Sequence, residues 1–185
     1  MPETRPTDDA YYETRIPLLS QGDIFKDVPL AYPVPTEIVE EQTSSGVRHF
    51  LAGPLQIGRA MLITPTCSMR AQRDPGKYAH PVRSLVPLLP TDFLLEQGLL
   101  DGSKLGLARK YDGLINYMYL PPHEPSGQPE SMALLYMPVT LHHDMIDGQR
   151  TTQLAVEGAR QLHRKLVWFD TSWLEPRATF EPALD

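Results

Sequence analysis

A cluster of basic side chains is the feature of this 185-residue sequence best suited to chemistry. Between residues 59 and 83, five arginine or lysine residues stand against one acid, although the whole chain has a formal net charge of -6. We call this segment the basic window; its cations are Arg59, Arg70, Arg73, Lys77 and Arg83. Cations gathered at the ends of neighbouring strands attract anions even on an acidic protein. The pattern therefore predicts a local anion-binding surface.

The basic window also holds a histidine and the single cysteine of the chain. Because a histidine titrates near neutral pH, His80 is a candidate general base, with a solvated loop histidine as the alternative. Cys67 would be a nucleophile if its neighbours Arg70 and His80 lowered its thiol pKa. A lone cysteine is more often a small packing residue, and we expect Cys67 to be buried.

A metal site is suggested by His142, His143 and Asp144, with Cys67 or His80 as a further ligand. Neighbouring residues of an extended chain point to opposite faces, so we expect these adjacent side chains not to hold one ion together. A single cysteine excludes an internal disulfide and a cysteine-rich zinc site. We therefore predict no metal and no cofactor.

Two apolar runs must position the basic side chains. They predict buried strands at 59–64 and 83–89, joined by a polar connection that contains proline and glycine. Further strands are predicted from Ile24 onward, at 114–120, and at 131–141 with a bend at Pro138.

Other local signals predict a hairpin and two helices. A turn at 44–46 indicates a hairpin within a long segment. Thr91 is predicted to cap a short helix. A longer helix is predicted at 152–169, with Thr151 or Thr152 as its cap. Its apolar residues fall on one face at three- and four-residue spacing; they are Ala155, Ala159, Leu162, Leu166 and Phe169.

Length and composition favour one folded domain. The chain is 41% hydrophobic and 22% charged, no run approaches about 18 apolar residues, and the N-terminus lacks the pattern of a signal peptide. We therefore expect a cytoplasmic protein that does not contact membranes. The domain is predicted at 16–170, with a long insertion at about 30–57. A flexible arm at 1–15, whose end Tyr11 and Tyr12 could pin, and a tail at 171–185 would flank it.

The order of the elements indicates the fold class. Several strands are followed by a late helix, and no βαβ alternation is present. This order predicts an α+β fold, a small bent antiparallel β-barrel with a C-terminal helix packed on it.

Four segments resemble, in order, motifs of the MazF/PemK-like toxins. They are 21–25 (QGDIF), 59–64 (RAMLIT), 84–91 (SLVPLLPT), and 131–135 (SMALL) with Val139 and Thr140 after it. The resemblance implies an SH3-like barrel and a metal-independent endoribonuclease of a bacterial toxin–antitoxin pair. It also implies contact with single-stranded RNA, an antitoxin peptide as partner, and a homodimer.

The resemblance also implies roles for individual residues. The arginine before the second strand and the hydroxyl residue that closes the third correspond to Arg59 and Thr91, which would act together on RNA. A small shift of register would put Thr64 or Ser84 in place of Thr91. With His80 as the base, Arg59 would stabilise the phosphorane charge. Arg70, Arg73, Lys77 and Arg83 would bind the RNA.

Several departures from the family pattern favour a second hypothesis. Ala60 stands where the family has proline, Gln21 stands where it tends to have a basic residue, and the segment before Arg59 is unusually long. Under this hypothesis the barrel is catalytically inactive and serves as a protein-binding or scaffold module in a larger assembly. Its groove would hold a protein segment, as toxin barrels hold an antitoxin peptide.

Overall fold

A computed structural model describes residues 10–12, 18–31, 37–44, 46–52, 55–69, 80–110, 114 and 116–172. In this part of the chain the fold is α+β, with a mostly antiparallel sheet and a C-terminal helix, as the sequence predicts. Among these residues, every helix is too short or too polar to cross a membrane. The remaining residues of the predicted arm and tail, at 1–9, 13–15 and 173–185, lie outside the described part.

The described chain contains nine strands and three α-helices. The strands are β1 (Asp23–Ala31), β2 (Glu37–Thr43), β3 (Gly46–Ala52), β4 (Leu55–Leu62), β5 (Val82–Pro90), β6 (Tyr117–Leu120), β7 (Ser131–Leu134), β8 (Val139–His142) and β9 (Arg150–Gln153). The α-helices are α1 (Thr91–Glu96), α2 (Gly102–Lys110) and α3 (Val156–Ser172).

The main sheet is organised around β5. Its strand order is β6-β7-β5-β4-β1-β9, and β8 pairs with β5 as well. On one side β5 pairs with β4, and on the other it pairs with β8 at its start and β7 at its end. The break between β7 and β8 contains Pro138, which confirms the predicted bend. In the described part of the chain β6 and β9 remain the two ends of the sheet, so it is not closed into a barrel.

The predicted insertion contains a separate hairpin. β2 and β3 pair in full antiparallel register from Glu37↔Ala52 to Thr43↔Gly46 and form their own two-stranded sheet. The turn lies where the sequence predicts it. The hairpin therefore lengthens the connection from β1 to β4 without adding a strand to the main sheet.

α3 covers one apolar cluster of the sheet. Leu162 is fully buried there with Ile24, Met61 and Val86, and Ala159 and Leu166 pack beside it. The helix begins at Val156, four residues later than predicted. The predicted cap is wrong, because Thr151 and Thr152 belong to β9, where Thr152 pairs with Ile24.

The end of the predicted arm is fixed to the body by Tyr11. This residue is buried and forms a bridge with Leu154, and its hydroxyl donates to the carbonyl of Pro121 at 2.7 Å. Burial raises the pKa of the Tyr11 hydroxyl. The hypothesis that Tyr11 pins the arm is therefore confirmed.

Candidate functional site

Arg59 lies on β4, opposite Leu88 of β5. Its Nη2 donates to the carbonyl of Gly127 at 2.8 Å, and its Nη1 donates to Oε1 of Gln128 at 3.2 Å. Both acceptors belong to residues 121–130, which we call the β6–β7 loop. Both are electrically neutral, so these contacts position the guanidinium without cancelling its charge.

Thr91 contacts the same loop at another point. Its hydroxyl donates to Oε2 of Glu130 at 3.0 Å, and its backbone N–H donates to the Glu130 carbonyl at 3.0 Å. The residue is 1% exposed and is the first residue of α1, whose N-cap position is Pro90. Its predicted role as the cap is therefore wrong. Arg59 and Thr91 approach one loop, but Thr91 does not present its hydroxyl to solvent beside Arg59.

Glu130 is the centre of a charged network that holds this loop. Arg109 of α2 donates to both carboxylate oxygens of Glu130 at 2.7 Å, and the Tyr119 hydroxyl donates to Oε1 at 2.7 Å. The hydrogen bonds from Arg109, Tyr119 and Thr91 lower the pKa of Glu130 to about 2, although partial burial opposes them. Burial, followed by the bond to Glu130, raises the pKa of Tyr119 to about 12. The Arg109 pKa is also raised, chiefly by its hydrogen bonds to Glu130.

A groove of about 330 Å³ lies next to Arg59, and we call it the Arg59 groove. Its walls come from β1, β4, the end of β5, the start of α1, the β6–β7 loop and the start of β7; they are Leu30, Gln56, Ile57, Gly58, Arg59, Leu88, Leu89, Pro90, Phe93, Pro129 and Ser131. Ile57 and Phe93 are exposed large apolar side chains. Residues 56–58 of β4 pair with β1 on one side, but the β4–β5 ladder stops at Arg59, so within the described residues no strand pairs with them on the β5 side, where the groove lies.

Of the other cations of the basic window, the structure describes only Arg83, and its place differs from the prediction. Arg83 is fully buried, and its guanidinium donates to the backbone carbonyls of His80 and Val82. This burial is inconsistent with the predicted RNA contact, because the charge does not reach the surface. Arg70, Arg73 and Lys77 lie outside the described residues.

His80 and Cys67 are both exposed. His80 comes two residues before the start of β5, whereas Arg59 faces the far end of that strand, so the proposed base and cation are not side by side in the sheet. The expected burial of Cys67 is wrong, because a short 3₁₀ turn at Thr66–Met69 leaves its side chain in solvent.

The alternative hydroxyl residues, Thr64 and Ser84, bond to each other. Ser84 N–H donates to Thr64 Oγ1 at 2.7 Å, and both residues line a second groove of about 380 Å³ together with Gln21 and His163. Arg59 is not one of the lining residues of this groove. A shift of register therefore does not bring a hydroxyl residue next to Arg59.

The expectation that the side chains of His142, His143 and Asp144 point to opposite faces is wrong. The chain leaves the extended conformation after His142 and forms a 3₁₀ turn at His143–Met145. As a result His142, His143 and Asp144 each place one potential ligand atom within 4.8 Å of the others.

Two members of the network around the β6–β7 loop, Glu130 and Arg109, were not singled out from the sequence. Glu130 ends a turn-rich loop and Arg109 lies in a helix interrupted by glycines, and no local signal pairs them. No protein-family model matches this sequence, and no curated protein matches it.

Proposed function

We propose that this chain is a divergent MazF/PemK-like protein that binds an extended, acidic segment of a partner protein in the Arg59 groove and does not cleave RNA. One observation carries the proposal. Arg59 lines the groove with neutral hydrogen-bond partners, whereas Thr91 is buried and bonded to Glu130. The groove therefore offers a cation to a ligand, whereas the hydroxyl of Thr91, implied as the catalytic partner of Arg59, is not presented beside it.

The backbone beside the groove favours an extended ligand. β4 pairs with β1 as far as Leu55 but with β5 only from Arg59 onward. A peptide lying along residues 56–58 would continue the sheet in place of β5. Every second side chain of the peptide, if apolar, could then pack against the exposed side chains of Ile57 and Phe93. Strand addition of this kind takes affinity from backbone hydrogen bonds and specificity from side-chain contacts.

Charge favours an acidic residue in that ligand. A guanidinium binds a carboxylate through two parallel hydrogen bonds, which are stronger than bonds to neutral acceptors. Glu130 of the same loop forms its ion pair with Arg109, and the hydrogen bonds shown for Arg59 in the described part of the chain go to Gly127 and Gln128, not to a carboxylate. A ligand carboxylate can replace Gly127 or Gln128 as the partner of Arg59.

Kinship with the MazF/PemK-like barrels is part of this proposal. It is supported by the four motif segments, by the return of β9 to pair with β1, and by α3 packed on the sheet. A ligand segment in the groove would correspond to the antitoxin peptide held by those barrels.

RNA binding is the second candidate function. Arg59 and the exposed aromatic ring of Phe93 line the same groove. A cation beside an aromatic ring is a common means of holding single-stranded nucleic acid. Buried Arg83 and Thr91 weigh against it.

Selection from a random dodecapeptide display library tests the proposal. We expect enriched peptides to contain Asp or Glu beside apolar residues. Arg59→Ala should raise their Kd by about tenfold to a hundredfold, since a hydrogen bond to a charged group contributes about 1.5–3 kcal/mol. The matched control is Arg160→Ala, which removes an exposed guanidinium from α3 and should leave Kd unchanged. Enriched peptides whose affinity is the same for wild type and Arg59→Ala would contradict the proposal.

The RNA alternative is tested in parallel with a labelled single-stranded RNA pool. We expect the RNA to remain intact and its mobility unchanged with wild-type protein. Cleavage or a mobility shift that Arg59→Ala abolishes and Arg160→Ala preserves would overturn the peptide-binding proposal and support an RNA-contacting protein.

A further inference from the structure

The turn after β8 gathers three potential metal ligands. Nδ1 of His142 lies 3.1 Å from Oδ2 of Asp144, and Nδ1 of His143 lies 2.9 Å from Oδ1 of the same carboxylate. The two imidazole rings stack with centroids 4.6 Å apart at 28°. Because the chain turns after His142, both rings face Asp144 instead of opposite sides of a strand.

We propose that His142, His143 and Asp144 bind a divalent transition-metal ion, with Zn²⁺ as the reference ion. Two imidazoles and a carboxylate are typical ligands of zinc, whereas Mg²⁺ and Ca²⁺ prefer oxygen ligands alone. Zinc–ligand distances of about 2.0–2.2 Å put tetrahedral ligand atoms about 3.4 Å apart. The imidazole–carboxylate separations of 3.1 and 2.9 Å run to different oxygens of Asp144, and the three potential ligand atoms lie within 4.8 Å of one another. Rotation of these partly exposed side chains would have to bring the three atoms to the tetrahedral spacing around the ion.

The turn is anchored on both sides of the ligands. The backbone N–H of His143 donates to the Pro81 carbonyl at 2.8 Å, next to the start of β5. Ile146 is buried, and its N–H donates to the His143 carbonyl at 3.1 Å. The ligands are therefore already close together before an ion arrives, which reduces the entropy lost on binding.

The site is accessible and separate from the Arg59 groove. All three side chains are partly exposed, so an ion can reach them and water can complete its coordination. β8 pairs with Val82–Leu85 at the beginning of β5, whereas the groove is lined by residues 88–90 at its end. The metal proposal consequently does not depend on peptide binding.

Calorimetric titration of the metal-free full chain with Zn²⁺ tests the proposal, in a Cys67→Ser background that removes the exposed thiol. We expect one ion per chain. Removing a ligand should cost at least as much affinity as removing an outer-sphere partner, so His143→Ala should raise Kd about tenfold or more. Asp144→Asn, at a largely exposed position, should weaken binding similarly and provides a variant with little risk to folding.

Two comparisons complete the experiment. His163→Ala removes an exposed histidine of α3 from outside the cluster and should leave Kd unchanged. With Co²⁺ as the probe, visible absorption bands should appear for the Cys67→Ser protein and disappear in the His143→Ala variant. No Zn²⁺ binding at about millimolar concentration, or the same Kd with and without His143 and Asp144, would overturn the proposal.

Discussion

The substitution Glu130→Gln tests whether the ionised carboxylate holds the β6–β7 loop in place. Glutamine has nearly the same shape but no charge, and it can offer only one acceptor oxygen to Arg109 and Tyr119. The pKa of Glu130 falls from its ordinary value of 4.5 to about 2 in the folded protein, chiefly through the Arg109 hydrogen bonds. This difference corresponds to at most about 3 kcal/mol.

Solvent reduces that figure, because the Arg109 side chain is 50% exposed and that of Glu130 is 23% exposed. We expect Glu130→Gln to lower the free energy of unfolding by about 1–2 kcal/mol at pH 7. Since the folded-state pKa is depressed, the stabilisation is complete above about pH 4.5 and is lost as the pH falls toward 2. The difference between wild type and variant should therefore shrink over that interval.

Urea unfolding at pH 7, 5 and 3 measures this difference. Glu157→Gln is the matched control, because Glu157 is also a carboxylate paired with arginine, here Arg160 and Arg164, but its side chain is 63% exposed. It should change the free energy of unfolding by less than about 0.5 kcal/mol at each pH. A Glu130→Gln effect of the same size at all three pH values would refute the assignment of stability to the ionised carboxylate.

Three further substitutions test the packing of β1 and α3 by the same assay. Burial raises the pKa of Asp23 from 3.8 to about 6, so ionisation of Asp23 should destabilise the folded chain as the pH rises from about 4 to 6. Asp23→Asn should remove that part of the pH dependence, and an unaltered pH profile of the free energy of unfolding would contradict this. Leu162→Ala should cost about 2–5 kcal/mol because the side chain is fully buried, whereas exposed Val156→Ala should cost far less; equal costs would show that α3 does not pack as described. Gly22→Ala should cost about 1–3 kcal/mol, since Gly22 has φ +94° and an added Cβ would lie 2.9 Å from Leu154; a neutral result would contradict the turn geometry.

Much of the framework could be predicted from local patterns. The apolar runs of β4 and β5, the turn of the β2–β3 hairpin and the break at Pro138 are each set by a few neighbouring residues. The sequence predicts the start of α3 too early, because Thr152 fits a helix cap locally but lies in β9, where it pairs with Ile24. The local helix-capping preference of Thr152 is therefore overridden by pairing with β1, a strand distant in the sequence.

The candidate site was harder to predict because its contacts are long-range. Thr91 meets Glu130 39 residues away, and Arg59 meets Gln128 69 residues away. Arg83 resembles a surface cation in the sequence, yet its guanidinium folds back onto nearby carbonyls inside the protein. Composition could indicate the basic window but not which of its cations reaches a groove.

Amide hydrogen exchange of the chain, with and without a library-selected acidic peptide, tests whether the Arg59 groove binds the peptide. We expect slower exchange along residues 55–59 when the peptide binds, unchanged exchange in α3, and loss of the protection in Arg59→Ala but not in Arg160→Ala. Protection that appears elsewhere while residues 55–59 exchange as before would contradict peptide binding in this groove.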